Sequence, residues 1–181
     1  SYSSQRSHGA SLSESNGGGI PHPSRFGAVK NQAKGGDRVA QYQLGQMYWN
    51  ARGTGRDKNQ ALVWLKRSAQ NGHPAAQHII GTFCFSGDKV GSPMSLNHSE
   101  ARRWLQKSSE NGYAKSYFML GSFYMEGIGG LVNLDKAEHW LKKAKAANDP
   151  NAARFDSLFA RLEAIGIDLK DKKVKEQLQL I

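Results

Sequence analysis

A chain of 181 residues, 38% of them hydrophobic, carries enough apolar surface for one structured unit with a modest core. Its 25 Lys and Arg against 15 Asp and Glu leave a net charge of +10, which favours acidic partners, nucleic acid or anionic lipid headgroups and names none of them. The single cysteine, Cys84, excludes an intramolecular disulfide and a cysteine-built metal cage, and no stretch reaches the ~18 apolar residues of a membrane span or forms a signal-peptide core.

Residues 1–24 hold eight Ser and four Gly with little to bury, a composition that reads as a flexible tether. The chain begins at Ser1 with no initiator Met, from which a processed or trimmed product is expected. Next comes "GAVKNQAKGG", Gly27 to Gly36, where Val29, Ala33 and Gly36 fit the end of a helix. Then "AQYQLGQMYWNARGTG" places Leu44, Gly45 and Tyr48 at helical spacing ahead of a glycine-punctuated turn.

That pattern returns as "QHIIGTFCFSG" from Gln77 and "YFMLGSFYMEGIGG" from Tyr117. The glycine anchors are Gly45, Gly81 and Gly121, and the paired anchors are Trp64-Leu65, Trp104-Leu105 and Trp140-Leu141. Glycine to tryptophan is 19, 23 and 19 residues, and tryptophan to the next glycine is 17 both times. The register is therefore constant except for four residues inserted between Gly87 and Glu100.

Each unit reads as two helices. In the first, glycine leaves room for a close helix approach beside Leu44 and Tyr48. In the second, Ala61, Trp64, Leu65 and Ser68 form one stripe, repeated by Ala101, Trp104, Leu105 and Ser108 and by Ala137, Trp140, Leu141 and Ala144. Asn71-Gly72 and Asn111-Gly112 close the second helices through glycine in the left-handed conformation. One such pair cannot bury its own apolar face, so units must stack and the ends need caps. The predicted solenoid covers 25–165, with a degraded first helix around Ser157. A capping helix over 166–181 has Val174, Leu178 and Ile181 on one face.

An Ala, then "LGxxY", a Gly-rich turn, an Asp, "AxxWLxKA" and a closing Gly together resemble the Sel-1-like repeat (SLR) family, related to tetratricopeptide repeats. The resemblance covers about residues 28–158, with departures at Ile80, Cys84, Ser68 and Ser108. It implies an all-α, right-handed α/α solenoid of three full repeats and partial capping repeats. It also implies a non-catalytic adaptor for another protein or peptide, working in the bacterial envelope. An immunity or inhibitor role against a secreted effector fits equally. A periplasmic or secreted location is the expectation, with the cytoplasm left open.

Taking the core direction from Leu44 and Tyr48, at ~100° per residue Tyr42, Gln46, Trp49 and Asn50 point away from it. Their counterparts are His78, Thr82, Phe85 and Ser86, then Phe118, Ser122, Met125 and Glu126. First helices line the concave face in solenoids of this kind, so these residues are the candidate partner-binding groove. The competing reading has Trp49 and Phe85 packed between adjacent units as core.

Lys66, Arg67, Lys107, Lys142 and Lys143 fall on the second helices and form a basic outer face. Such a ladder could follow a phosphate backbone, but no nucleic-acid motif accompanies it, and a charge run usually marks a solvated face. Peripheral membrane association stays open, and oligomeric state is unaddressed.

Cys84 occupies the slot of Tyr48 and Tyr124 and reads as a small buried residue with an inert thiol. The six histidines lack metal-ligand spacing, and "GIGG" at 127–130 has neither a preceding strand nor a following GK[ST], so it reads as a turn. No metal or cofactor is expected. Binding of cell-wall glycan is a further alternative implied by the resemblance. No Ser, His and Asp suggest a triad, and glycan hydrolysis would need convergent carboxylates where Glu126 stands alone in the groove set, so an enzyme is the weaker reading. The loop Gly87 to Glu100 reads as neutral variation or as a lip on the groove.

Overall fold

In each unit a polar side chain starts the second helix. Asp57, Asn97 and Asn133 accept hydrogen bonds from the backbone N–H groups of Gln60, Glu100 and Lys136 at 2.9, 3.0 and 2.9 Å. Their own N–H groups donate to the carbonyls of Tyr48, Cys84 and Tyr124 at 3.1, 2.7 and 2.8 Å. The loop thus closes the same way three times, and the four-residue insertion is absorbed before Asn97. Gly72 and Gly112 end second helices at φ +83° and +82°, and Asn148 takes that place in the last unit at φ +58°.

The computed structural model describes residues 23–87, 91, 93–153, 164 and 166. Among these there are seven α-helices and no strand: α1 (Pro23–Lys34), α2 (Arg38–Asn50), α3 (Lys58–Gln70), α4 (Pro74–Ser86), α5 (His98–Glu110), α6 (Tyr117–Glu126) and α7 (Leu134–Ala146). A 3-10 turn, Ala114–Ser116, leads into α6. The helices pack in chain order, with α2 on α3, α4 on α5 and α6 on α7 as pairs. The α1 helix packs on α2 with Val29 and Ala33 buried, as expected of a partial second helix acting as a cap, and it begins at Pro23. Of the tether expected over 1–24, Pro23 and Ser24 instead open α1, and residues 1–22, the helix expected around Ser157 and nearly all of the expected cap over 166–181 lie outside the described residues.

Within each pair the glycine meets the same two residues. A Cβ on Gly45 would stand 2.7 Å from Leu65 Cγ and 3.2 Å from the Ala61 carbonyl oxygen. On Gly81 the corresponding distances to Leu105 and Ala101 are 3.0 and 3.3 Å, and on Gly121 to Leu141 and Ala137 they are 2.7 and 3.3 Å. The helices therefore touch backbone to side chain, and Leu44, Ile80, Leu120, Ala61, Ala101 and Ala137 all lie fully buried around the contact.

Ser68 and Ser108, the departures from the repeat's Ala, are also fully buried, and both hydroxyls are used. Ser68 donates to the Arg38 carbonyl at 2.6 Å and Ser108 to the Pro74 carbonyl at 2.8 Å, tying the end of each second helix to the start of its first. Sequence reasoning missed a further pair of links. Buried Gln41 donates to the Ala33 carbonyl and Gln77 to the Ala69 carbonyl, each reaching back to the preceding helix, while Asn71 and Asn111 donate to the Gln41 and Gln77 amide oxygens at 2.9 Å. The third unit has Tyr117 and Ala147 at those two positions, so both members of the pair are replaced together.

Helix propensity favours Ala over Gly by ~1 kcal/mol, whereas overpacking a tight contact costs ~1–3 kcal/mol. Gly45→Ala and Gly121→Ala, at 2.7 Å, should lower unfolding free energy by about 1–2 kcal/mol net, and Gly81→Ala, at 3.0 Å, by less. Denaturant midpoints of the three variants check this order.

Candidate functional site

The first helices α2, α4 and α6 carry the predicted groove residues, and their placement differs by row. Tyr42 is half-buried, stacked on His73 at 4.4 Å, with its hydroxyl accepting from Gln46 Nε2 at 2.7 Å. His78, one unit on, contacts the Ser116 hydroxyl through Nδ1 at 2.8 Å and tilts against Tyr113. Phe118 completes the row and is half-buried.

The middle row is light and locally satisfied. Thr82 donates to the His78 carbonyl at 2.9 Å and Ser122 to the Phe118 carbonyl at 3.1 Å, each within its own helix. These two, with Gln46, are half-buried and anchor nothing in the core.

The third row packs between units. Trp49 stacks on Phe83 of the next first helix at 4.9 Å, with Lys58 Nζ 5.3 Å from its ring centre. Phe85 lies 5.0 Å from buried Phe123 and 5.4 Å from His98. Phe85 and Met125 pack against the main core cluster, and all three remain half-buried with one side toward solvent. The two readings of these residues thus meet: they join successive units and still present an edge. Asn50 and Glu126 are exposed at the helix ends, and Ser86 is half-buried.

The basic residues sort into two roles. Arg67, Lys107 and Lys143 lie over Trp64, Trp104 and Trp140 at 4.8, 5.0 and 4.9 Å, a cation–π contact repeated in every unit. Lys142 pairs with Glu138 at 2.7 Å on an exposed surface. Lys66 is exposed, with no carboxylate paired to it among the described residues.

Arg102 is a structural cation that the sequence reading passed over. It donates to the carbonyls of Phe123 at 3.1 Å and Leu131 at 2.8 Å and stacks over Tyr124 at 4.4 Å, so α5 holds the third unit's loop. "GIGG" is a turn, with Gly127 and Gly129 at φ +69° and +73° and Gly129 pressed against the His98 carbonyl. Cys84 is 2% exposed, and burial, then Glu100, pushes its thiol pKa up while Lys66 pulls it down. No group of three or more His, Cys, Asp or Glu among the described residues is arranged to hold a metal ion, and no helix there is long and apolar enough to cross a membrane.

Pairs of antiparallel helices stacked in fixed register, with one face formed by the first helices, define a helical-repeat solenoid of the kind that serves as a scaffold. The Sel1 repeat model matches residues 38–73, 74–113 and 114–149, each holding one helix pair, so the chain belongs to the Sel1 repeat family. Sel1 repeat proteins are in general non-catalytic protein-interaction scaffolds.

Among solved structures, a Sel1 repeat protein from Oxalobacter formigenes is similar at 28% identity and TM-score 0.66, covering 72% of this chain and 95% of that one. The protein c5321, a protective antigen of uropathogenic Escherichia coli strains with an SLR fold, is similar at 27% identity and TM-score 0.62, covering 70% of this chain and 26% of that one. Helicobacter pylori cysteine rich protein B shares the fold at 14% identity and TM-score 0.54, covering 77% of this chain and 99% of that one. No curated protein matches.

Burial holds the pKa of His78 below its ordinary 6.5, with Lys115 lowering it further, and burial does the same to His73 ahead of Arg38, against a smaller opposing effect of Asp37. Both rings therefore take up protons at lower pH in the folded chain than in the unfolded one. Their contribution is complete above pH 6.5 and is lost as pH falls below it, because the unfolded chain takes up protons first. Chemical denaturation should show lower stability at pH 5 than at pH 7.5, and His78→Gln should reduce that difference.

Proposed function

We propose that this chain is a scaffold that holds a segment of another protein along the face made by α2, α4 and α6. The observation that carries the reading is the repetition of half-buried aromatic and Met side chains across that face. Tyr42, His78 and Phe118 make one line and Trp49, Phe85 and Met125 another, with small polar side chains between them. Half-exposed aromatic edges with Met are the residue types that anchor a bound peptide, and the intervening hydroxyls leave room for its backbone. The cations that lie over the outer tryptophans assist encounter with acidic partners more than they add affinity. A bacterial envelope location is part of the proposal, supported by the resemblance to envelope-working SLR proteins. An effector-neutralising immunity role is a special case of the same groove.

Thr82 and Ser122 bond only within their own helices, so changing them leaves the core contacts in place. The Thr82→Arg/Ser122→Arg protein should keep its helical content and melting temperature within a few degrees and lose the partner that the parent captures from host extract at moderate salt. Lys142→Glu on the outer face should retain that partner. Equal capture by the parent and the folded groove variant would overturn the reading, as would recovery of nucleic acid or lipid alone.

A further inference from the structure

At Cys84 the second unit replaces the core tyrosine of its neighbours, and a cavity lies there. Tyr124 fills the gap between α5, α6 and α7: its hydroxyl donates to Gln106 Oε1 at 3.0 Å, and Lys136 lies 5.2 Å from its ring centre. In the first unit Tyr48 packs edge-on against Phe26 at 5.6 Å. The corresponding residue between α3, α4 and α5 is Cys84, which is too small to fill the same gap. A cavity of about 350 Å³ remains, with Cys84 in its floor and Trp104, Met94, Lys66, Glu100 and Arg103 around it. Trp104 is accordingly half-buried, whereas Trp64 and Trp140 are buried at 6% and 8% exposure. Met94 comes from the inserted loop and packs against the core cluster, so the insertion and the missing ring meet at one place.

The polar end of the gap has changed as well. Gln106, which receives the tyrosine hydroxyl in the third unit, corresponds to Lys66 in the second, 40 residues earlier. Lys136 corresponds to Glu100, and Glu100 is engaged by Arg103 at 2.6 Å. The Arg103–Glu100 pair cancels its own charge, and among the described residues no carboxylate pairs with the Lys66 ammonium at the rim. A neutral acceptor for a phenol has thus become a cationic donor beside a hollow of mixed lining, with Trp104, Met94, Ile80 and Cys84 as its apolar part and Gln70, Ser95 and Asn97 as polar neighbours.

We propose that this cavity binds a small free aryl carboxylate, its ring between Trp104 and Met94 over Cys84 and its carboxylate on Lys66. The ligand stands where the neighbouring units place their own tyrosine, with an anion in place of the phenol. The site is on the outer side of the solenoid, between α3 and α5, and is separate from the proposed groove, so it can be occupied or empty whatever the groove binds.

The probes are p-cresol, which is the tyrosine side chain itself, and 4-methylbenzoate, which replaces the hydroxyl by a carboxylate. Titration of the full chain, read by ligand-observed NMR, should give saturable binding of 4-methylbenzoate with a Kd on the order of 1 mM. Binding of p-cresol should be about tenfold weaker, the difference made by one charge-assisted contact. Cys84→Tyr should abolish binding of both. Lys66→Gln, an exposed change that leaves the fold intact whether or not the tyrosine variant folds, should remove the preference for the carboxylate. No saturable binding to the parent, undiminished binding to a folded Cys84→Tyr protein, or an unchanged preference in Lys66→Gln would each overturn the proposal.

Discussion

The close approach of each first helix to its second, at Gly45, Gly81 and Gly121, sets the spacing on which the other contacts depend. A side chain there would meet a leucine branch point and an alanine carbonyl at once, neither of which retreats without moving a helix. Because the three contacts share one geometry, the three loops close on one pattern of cap and carbonyl, and the units stack in one register. The distances that bring Ser68 and Ser108 onto neighbouring carbonyls, or Asn71 and Asn111 onto buried glutamines, follow from it.

A frame repeated this closely makes each departure readable as a local difference. Where the third unit loses the Gln–Asn link, it loses both partners, so no buried amide is left without its mate. Where the second unit loses its tyrosine, it gains a loop methionine, a half-open tryptophan and Lys66 around the same gap. The tryptophan–cation stack stays the same in all three units, which marks it as part of the frame.

The repeat, its register and the all-helical solenoid were legible in the sequence because the information is periodic: a glycine, a tryptophan and a closing glycine return at fixed intervals. Helix ends were legible for the same reason, through Asn71-Gly72 and Asn111-Gly112. Side-chain direction at the groove was less so. Periodicity says that Trp49 and Phe85 leave the core of their own unit, yet the next first helix stands beside them, and that contact depends on stacking between units that no single-helix wheel contains. Gln41 and Gln77 had a readable signal, polar residues in repeat register with the closing asparagines, but their burial belongs to tertiary structure. Arg102 had none, since its acceptors are carbonyls of another unit's helix and loop.

A rigid stack with one face of aromatic edges and another of covered tryptophans suits a protein that presents surfaces to a partner. The account stands or falls on the glycine contact, and a double-mutant cycle on the third unit tests it most directly. Unfolding free energies would be measured for Gly121→Ala, Leu141→Ala and the combination. If the glycine exists to admit Leu141, the added methyl is tolerated once the leucine is shortened, and the two changes are non-additive by about 1–2 kcal/mol in the favourable direction. Additivity within ~0.5 kcal/mol would contradict the account, because the glycine would then be required for something other than the helix beside it.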